Sequence, residues 1–170
     1  MLDGAGHLVT GTSDSEHRGS AYKLLPMYKQ VVSAARQRVT VLANFVEVSL
    51  AKEGHDGVVG INLLTKVQMP SMASLCGAML AGVNVVLMGA GIPREIPGVL
   101  DAFAEHRAAT MRFDVEGQGR EESEVLRFDP LDLWSAAPTA SLDRPRFIAI
   151  VAAASLAATL AASTWMVTFT

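Results

Sequence analysis

Three short runs of this 170-residue chain are apolar along almost their whole length: Val58-Val-Gly-Ile-Asn62, Val83-Asn-Val-Val-Leu-Met88 and Phe147-Ile-Ala-Ile-Val151. A strand that lacks polar alternation is buried on both faces. When such strands alternate with helical segments, the economical arrangement is a parallel sheet built from βα units. Helical spacing is present between and around these runs, over Tyr22 to Glu53, Met72 to Gly82, Glu95 to His106 and Ser155 to Ala162. The expected fold class is therefore α/β, with three units or parts of units over 58–82, 83–106 and 147–162.

Local detail refines this outline. In the first helix Val39, Leu42, Phe45, Val46, Ser49 and Leu50 fall near one face, which marks them as the expected inward stripe, with Gly54 as the stop. Ser71, after Pro70, is a candidate cap for the second helix. In the third, Val99, Leu100 and Phe103 should point inward and Asp101 and Glu105 outward, with Pro97 tolerated in the first turn. Two segments rich in β-formers, Ala109 to Val115 and Glu124 to Phe128, flank a charged, Gly-containing stretch and predict a β-hairpin insertion near 109–128.

Composition narrows the function classes. Half the residues are apolar and 18% are charged, which suits a folded domain. Seventeen acids against fourteen bases leave a net charge of −3, so no basic footprint for nucleic acid spreads over the chain. A single cysteine, Cys76, excludes an internal disulfide framework and a Cys-rich zinc site, and fits a cytoplasmic protein. It lies in an apolar helix and reads as a small core residue. No metal-ligand spacing is present, and no metal is expected. Residues 1–20 are polar and Gly/Ser-rich, without the pattern of a secretory signal, and read as an irregular terminus. From Phe147 to Thr170 no charge occurs, but the run is mostly Ala with Ser and Thr interspersed. A buried strand and helix is the favoured reading over a membrane span.

Ligands of parallel βα folds gather at the carboxyl ends of the strands. Three places qualify. Asn62, read as the end of its strand, carries a carboxamide that both donates and accepts, so it can read the edge of a heterocycle such as a flavin or simply tie down its own loop. Gly89-Ala-Gly91 permits close approach of a ligand, or makes a plain strand-to-helix turn; without a third glycine it is no dinucleotide fingerprint. Ala152-Ala-Ala154 leaves room for a ligand or packs tightly. His55-Asp56, beside Glu47, Lys52 and Glu53, reads as a solvated helix end rather than an acid/base pair. His106 reads as a helix-terminal residue.

Against this background, residues 43 to 101 resemble the nitronate monooxygenases, formerly called 2-nitropropane dioxygenases. The resemblance is carried by Ala43-Asn-Phe-Val-Glu-Val48, Leu50-Ala-Lys-Glu-Gly-His-Asp-Gly57, Gly60-Ile-Asn-Leu-Leu64, Gly77-Ala-Met-Leu-Ala-Gly82 and Leu87-Met-Gly-Ala-Gly-Ile-Pro-Arg-Glu-Ile-Pro-Gly-Val-Leu-Asp101, with Arg144-Pro-Arg-Phe-Ile-Ala-Ile-Val151 similar to the next strand. It implies a TIM (β/α)8 barrel that binds FMN and oxidises alkyl nitronates with O2; related enoyl-carrier-protein reductases share scaffold and flavin. By position, Asn62 matches the family's flavin-contacting asparagine, Gln68 a flavin-contacting glutamine, and Gly89 and Gly91 line the site.

Some family features have no counterpart here. The Gly-Gly-Met-type first turn and the Gly-Gly-His loop of the catalytic base are missing, and none of His7, His17, His55 or His106 stands in a matching context, so no catalytic residue is assigned. The resemblance therefore implies a partial barrel over 21–162, with 163–170 a tail outside the family, inactive as this fragment. About 250 residues are typical of the complete architecture. The alternative is a non-catalytic fragment that only associates with other chains, and self-association through exposed barrel edges is expected in either case.

Overall fold

The computed structural model describes residues 27–29, 31–113, 124–133, 141–151, 155, 157–158 and 166–169. In chain order these form α1 (Ala34–Ala51), β1 (Gly60–Leu64), α2 (Ser71–Leu80), β2 (Val85–Gly89), α3 (Ile96–Ala104), β3 (Ala109–Phe113), β4 (Glu124–Phe128), a 3-10 turn (Pro130–Leu133), β5 (Arg146–Val151) and β6 (Met166–Phe169). The fold is mixed α/β. β1, β2, β5 and β6 make one parallel sheet in the order β1-β2-β5-β6, while β3 and β4 pair antiparallel as a separate hairpin. Strand order never reverses along the parallel sheet, and among the described residues the sheet does not close.

Period-two alternation decides which face of the sheet is covered. Val86, Met88, Phe147, Ala149 and Val151 belong to the buried core, and Ile61 and Leu63 pack against it. Their neighbours Val85, Leu87, Ile148 and Ile150 are half-buried and Asn62 and Leu64 exposed, which leaves the opposite face open. α2 is buried at Ser71 through Met79. α3 contributes Ile96, Val99, Leu100, Ala102 and Phe103, as its spacing predicts, with Asp101 and Glu105 outward. Phe103 meets Phe128 of the hairpin edge-on at 5.4 Å, so the inserted hairpin joins the same core.

Several boundaries differ from the sequence-based expectation. α1 begins at Ala34 rather than near Tyr22; 27–29 and 31–33 are not helical, and 21–26 lie outside the described residues. Ser33 starts the helix by accepting a hydrogen bond from the Arg36 amide at 3.3 Å. Ser71 is not the cap of α2: it is the first helical residue, and its hydroxyl donates to the Val67 carbonyl at 2.6 Å. β1 and β2 both run on to the next turn, ending at Leu64 and Gly89. Met166–Phe169, set apart from the barrel by sequence, lies alongside β5 as a fourth strand.

The largest correction concerns α1. Its expected inward stripe faces outward: Val39 is 43%, Leu42 61%, Val46 41% and Leu50 59% exposed. Val41 and Val48 are buried instead. α1 packs through the Val41 side onto α2, where Gly77 allows close approach and Asn44 donates to the Ser74 hydroxyl at 3.2 Å. Apolar spacing counts residues on a face. It does not say which of two apolar faces meets the neighbour.

Candidate functional site

The carboxyl ends of β1 and β2 lie side by side. Asn62 pairs with Leu87 and Leu64 with Gly89, and the Thr65 amide donates to the Gly89 carbonyl at 2.8 Å, carrying the ladder one residue into the loop. Asn62 is thus the middle residue of its strand and not the last. The strand continues because Leu63 packs on the core and Leu64 still has a partner in β2. On the open face of the sheet, the exposed Asn62 carboxamide makes no hydrogen bond to another described residue. It does not tie down its own loop, and its donor and acceptor remain available to a ligand.

Gln68 sits half-buried in the loop that follows β1, and its carbonyl accepts from the Ser71 amide at 3.1 Å, closing the turn into α2. Between Asn62 and Gln68, Thr65 holds a buried hydroxyl oxygen without a hydrogen-bond partner. A threonine after a strand carries no signal of its own in the sequence, and Thr65 is evident only in the fold. An orphaned buried hydroxyl is the exception in folded proteins, and it marks this end of the sheet as polar beyond its internal needs.

The two glycines have local explanations. A Cβ on Gly89 would lie 3.1 Å from the Ile150 Cβ, so its small size accommodates β5. Gly91 has φ +152°, and a Cβ there would approach the Thr65 Cβ at 3.0 Å. Its backbone conformation favours glycine, and the missing side chain accommodates Thr65. Ala90 between them is left-handed as well, at φ +56°. The turn therefore brings the backbone of 89–91 against the β1 loop, and neither glycine opens a space of its own. Of these polar groups the Asn62 carboxamide alone is shown exposed and unbonded, offering one donor and one acceptor side on the open face, while the Thr65 hydroxyl oxygen is buried and Gln68 already takes part in an interaction. The Ala152–Ala154 position lies outside the described residues.

Other candidates resolve into structure. The His55 ring uses one nitrogen with the Ala51 carbonyl at 2.7 Å and the other as acceptor for the Gly57 amide at 2.9 Å, so it caps the end of α1. Cys76 is 1% exposed, and burial pushes its thiol up to about 12, which keeps it protonated and unreactive. His106 adopts φ +54° just after α3, where its amide and that of Arg107 return to the Phe103 and Ala102 carbonyls, closing the helix. Among the described residues no three His, Cys, Asp or Glu side chains gather to hold a metal, and no helix is long and apolar enough to cross a membrane. A cavity of about 370 Å³ is lined by Arg38, Val41, Leu42, Phe45, Leu80 and Leu133, none of which belongs to the strand ends.

No family model, no curated protein and no solved structure matches this chain.

Proposed function

We propose that this chain is a flavin-binding segment of (β/α)8 barrel wall of the nitronate monooxygenase type, with FMN held over the carboxyl ends of β1 and β2. The observation that carries this reading is the free Asn62 carboxamide on the open face of a parallel β1–β2 pair. The motif blocks over 43–101 supply the choice of flavin and of an alkyl nitronate with O2 as substrates. An unreversed strand order with one covered face supports barrel wall over a doubly wound sheet, which reverses at a switch point.

In this assignment Asn62 would donate to and accept from the edge of the ring, and Gln68, Gly89 and Gly91 are assigned to the site by the resemblance alone. Bound FMN supplies the redox chemistry that takes electrons from the nitronate and delivers them to O2. No residue of the chain is given the role of catalytic base, so the assignment extends to cofactor binding and leaves turnover to residues this sequence does not match. An enoyl-carrier-protein reductase-like flavoprotein shares the same ring contacts and differs in substrate.

Titration of FMN with the purified chain tests the proposal. Quenching of flavin fluorescence with saturation is expected, and Asn62→Ala should weaken binding about tenfold, the loss of one or two hydrogen bonds to a buried ring edge. Flavin fluorescence that stays unchanged at high protein concentration overturns the assignment.

A further inference from the structure

We infer that the cavity between α1, the end of α2 and the 3-10 turn is a binding site for a medium-chain carboxylate, with Arg38 receiving the charged end. The inference goes beyond the flavin reading, concerns a different part of the fold and does not depend on it.

The cavity has a volume of about 370 Å³. Sites for small molecules begin near this size. Its apolar lining comes from three elements: Val41, Leu42 and Phe45 of α1, Leu80 of α2 and Leu133 of the turn. Packing elsewhere holds these walls apart. The Val41 backbone lies against Gly77, and Asn44 donates to the Ser74 hydroxyl at 3.2 Å, so α1 is anchored on α2 and is not free to close the space. Leu80 and Leu133 are anchored on the core. Leu42 and Phe45, 61% and 37% exposed, therefore stay on the open side of the helix. An apolar cavity offers water no hydrogen-bond partners and is filled favourably by an apolar group.

Arg38 sets the charge of the occupant. It is the one polar side chain among the described residues that line the cavity. It is exposed, and its guanidinium makes a single long hydrogen bond, from Nη2 to the Asp132 carbonyl at 3.5 Å. It forms no ion pair with another described residue. The Asp132 carboxylate lies instead 4.0 Å from the Arg127 guanidinium. Most of the five donors of Arg38 thus remain for a ligand, in a fork that matches a carboxylate. From Arg38 to Phe45 the helix advances about 10 Å along one face, the reach of a chain of about eight carbons. An amphiphile with one negative end satisfies both the guanidinium and the apolar walls. A cationic amphiphile of the same length opposes Arg38.

Octanoate titrated into the full chain should shift the backbone amides of 38–45, Leu80 and Leu133 saturably, and leave those of Asn62 and Leu64 in place. Shortening the acid should weaken binding about threefold to fourfold per methylene. Arg38→Gln, at an exposed position, should weaken octanoate about tenfold and leave octanol unchanged. Leu42→Gln should weaken both. Spectra unmoved at millimolar octanoate overturn the inference, as does equal binding of octylammonium or octanoate binding indifferent to Arg38→Gln. So does self-association of the chain through Leu42 and Phe45 with no uptake of octanoate.

Discussion

Gly77 in α2 faces the backbone of Val41 in α1 so closely that a Cβ on Gly77 would stand 2.2 Å from the Val41 carbonyl oxygen. Helix backbones can approach this far only where one side chain is absent. The contact fixes how α1 lies on α2 and thereby which face of α1 is buried. Gly77→Ala should destabilise the fold by about 3 kcal/mol or more, because the clash is with backbone and cannot be relieved by a rotamer change. Gly98 in α3 is the control: a Cβ there meets nothing within 4 Å, and Gly98→Ala should stabilise by roughly 0.5–1 kcal/mol. Urea denaturation of the two variants checks both signs.

Reversal of the α1 faces makes its own prediction. Val48→Ala should cost on the order of 1–3 kcal/mol, since Val48 is buried in the core. Leu42→Gln, at a side chain 61% exposed, should fall within about 0.5 kcal/mol of the parent. The expected inward stripe would require the opposite ranking in thermal melts.

At the amino-terminal end of the sheet, Lys52 donates to the Gly82 carbonyl at 2.7 Å and to the Asn84 Oδ1 at 3.3 Å, while that same oxygen accepts from the Val59 amide at 2.9 Å. One carboxamide thus joins the end of α1 to the starts of β1 and β2. Asn84→Ala should cost about 1–2 kcal/mol by leaving the Val59 amide without its acceptor, and Asn84→Asp should be tolerated because it keeps the oxygen and faces a lysine. Chemical denaturation of the pair distinguishes a lost acceptor from a lost side chain.

Cys76 gives the fold a pH dependence. Its thiol is held up at about 12 by burial, so between the ordinary thiol value and 12 the unfolded chain loses a proton that the folded chain keeps. The contribution is fully present below the ordinary value and is lost as pH rises, with a slope approaching about 1.4 kcal/mol per pH unit. Comparison of the parent with Cys76→Ala across pH 8–11 should show the parent falling more steeply. In the native protein at neutral pH, a thiol reagent should label Cys76 only as fast as the chain unfolds.

Much of the architecture is legible in the residues themselves. Val83–Met88 and Phe147–Val151 supply β2 and β5 of a parallel sheet, β2 starting two residues later than expected, at Val85; Val99, Leu100 and Phe103 share a face and are buried; the β-formers flanking 116–122 pair as a hairpin. These follow from local rules of apolar run, helical period and turn composition, each acting within a few residues; the expected burial of the strands on both faces is not met, since Asn62 and Leu64 are exposed and Val85, Leu87, Ile148 and Ile150 only half-buried. The strand ends were less legible, because Leu63 and Leu64 extend β1 only when β2 is there to receive them. Asn62 was singled out by its chemistry, and the fold sets it on the open face of the sheet.

Sequence alone thus determined the class of the fold, the order of its elements from α1 to β5, and the carboxamide placed among apolar neighbours; that Met166–Phe169 adds a strand beside β5 it did not. Tertiary structure alone decided which side of α1 is buried, that Gly89 and Gly91 accommodate Ile150 and Thr65, and that the Thr65 hydroxyl is left without a partner. Period and composition are properties of one segment, whereas a close approach, an open edge and an unsatisfied hydroxyl exist only between segments, once packing has chosen which of them meet.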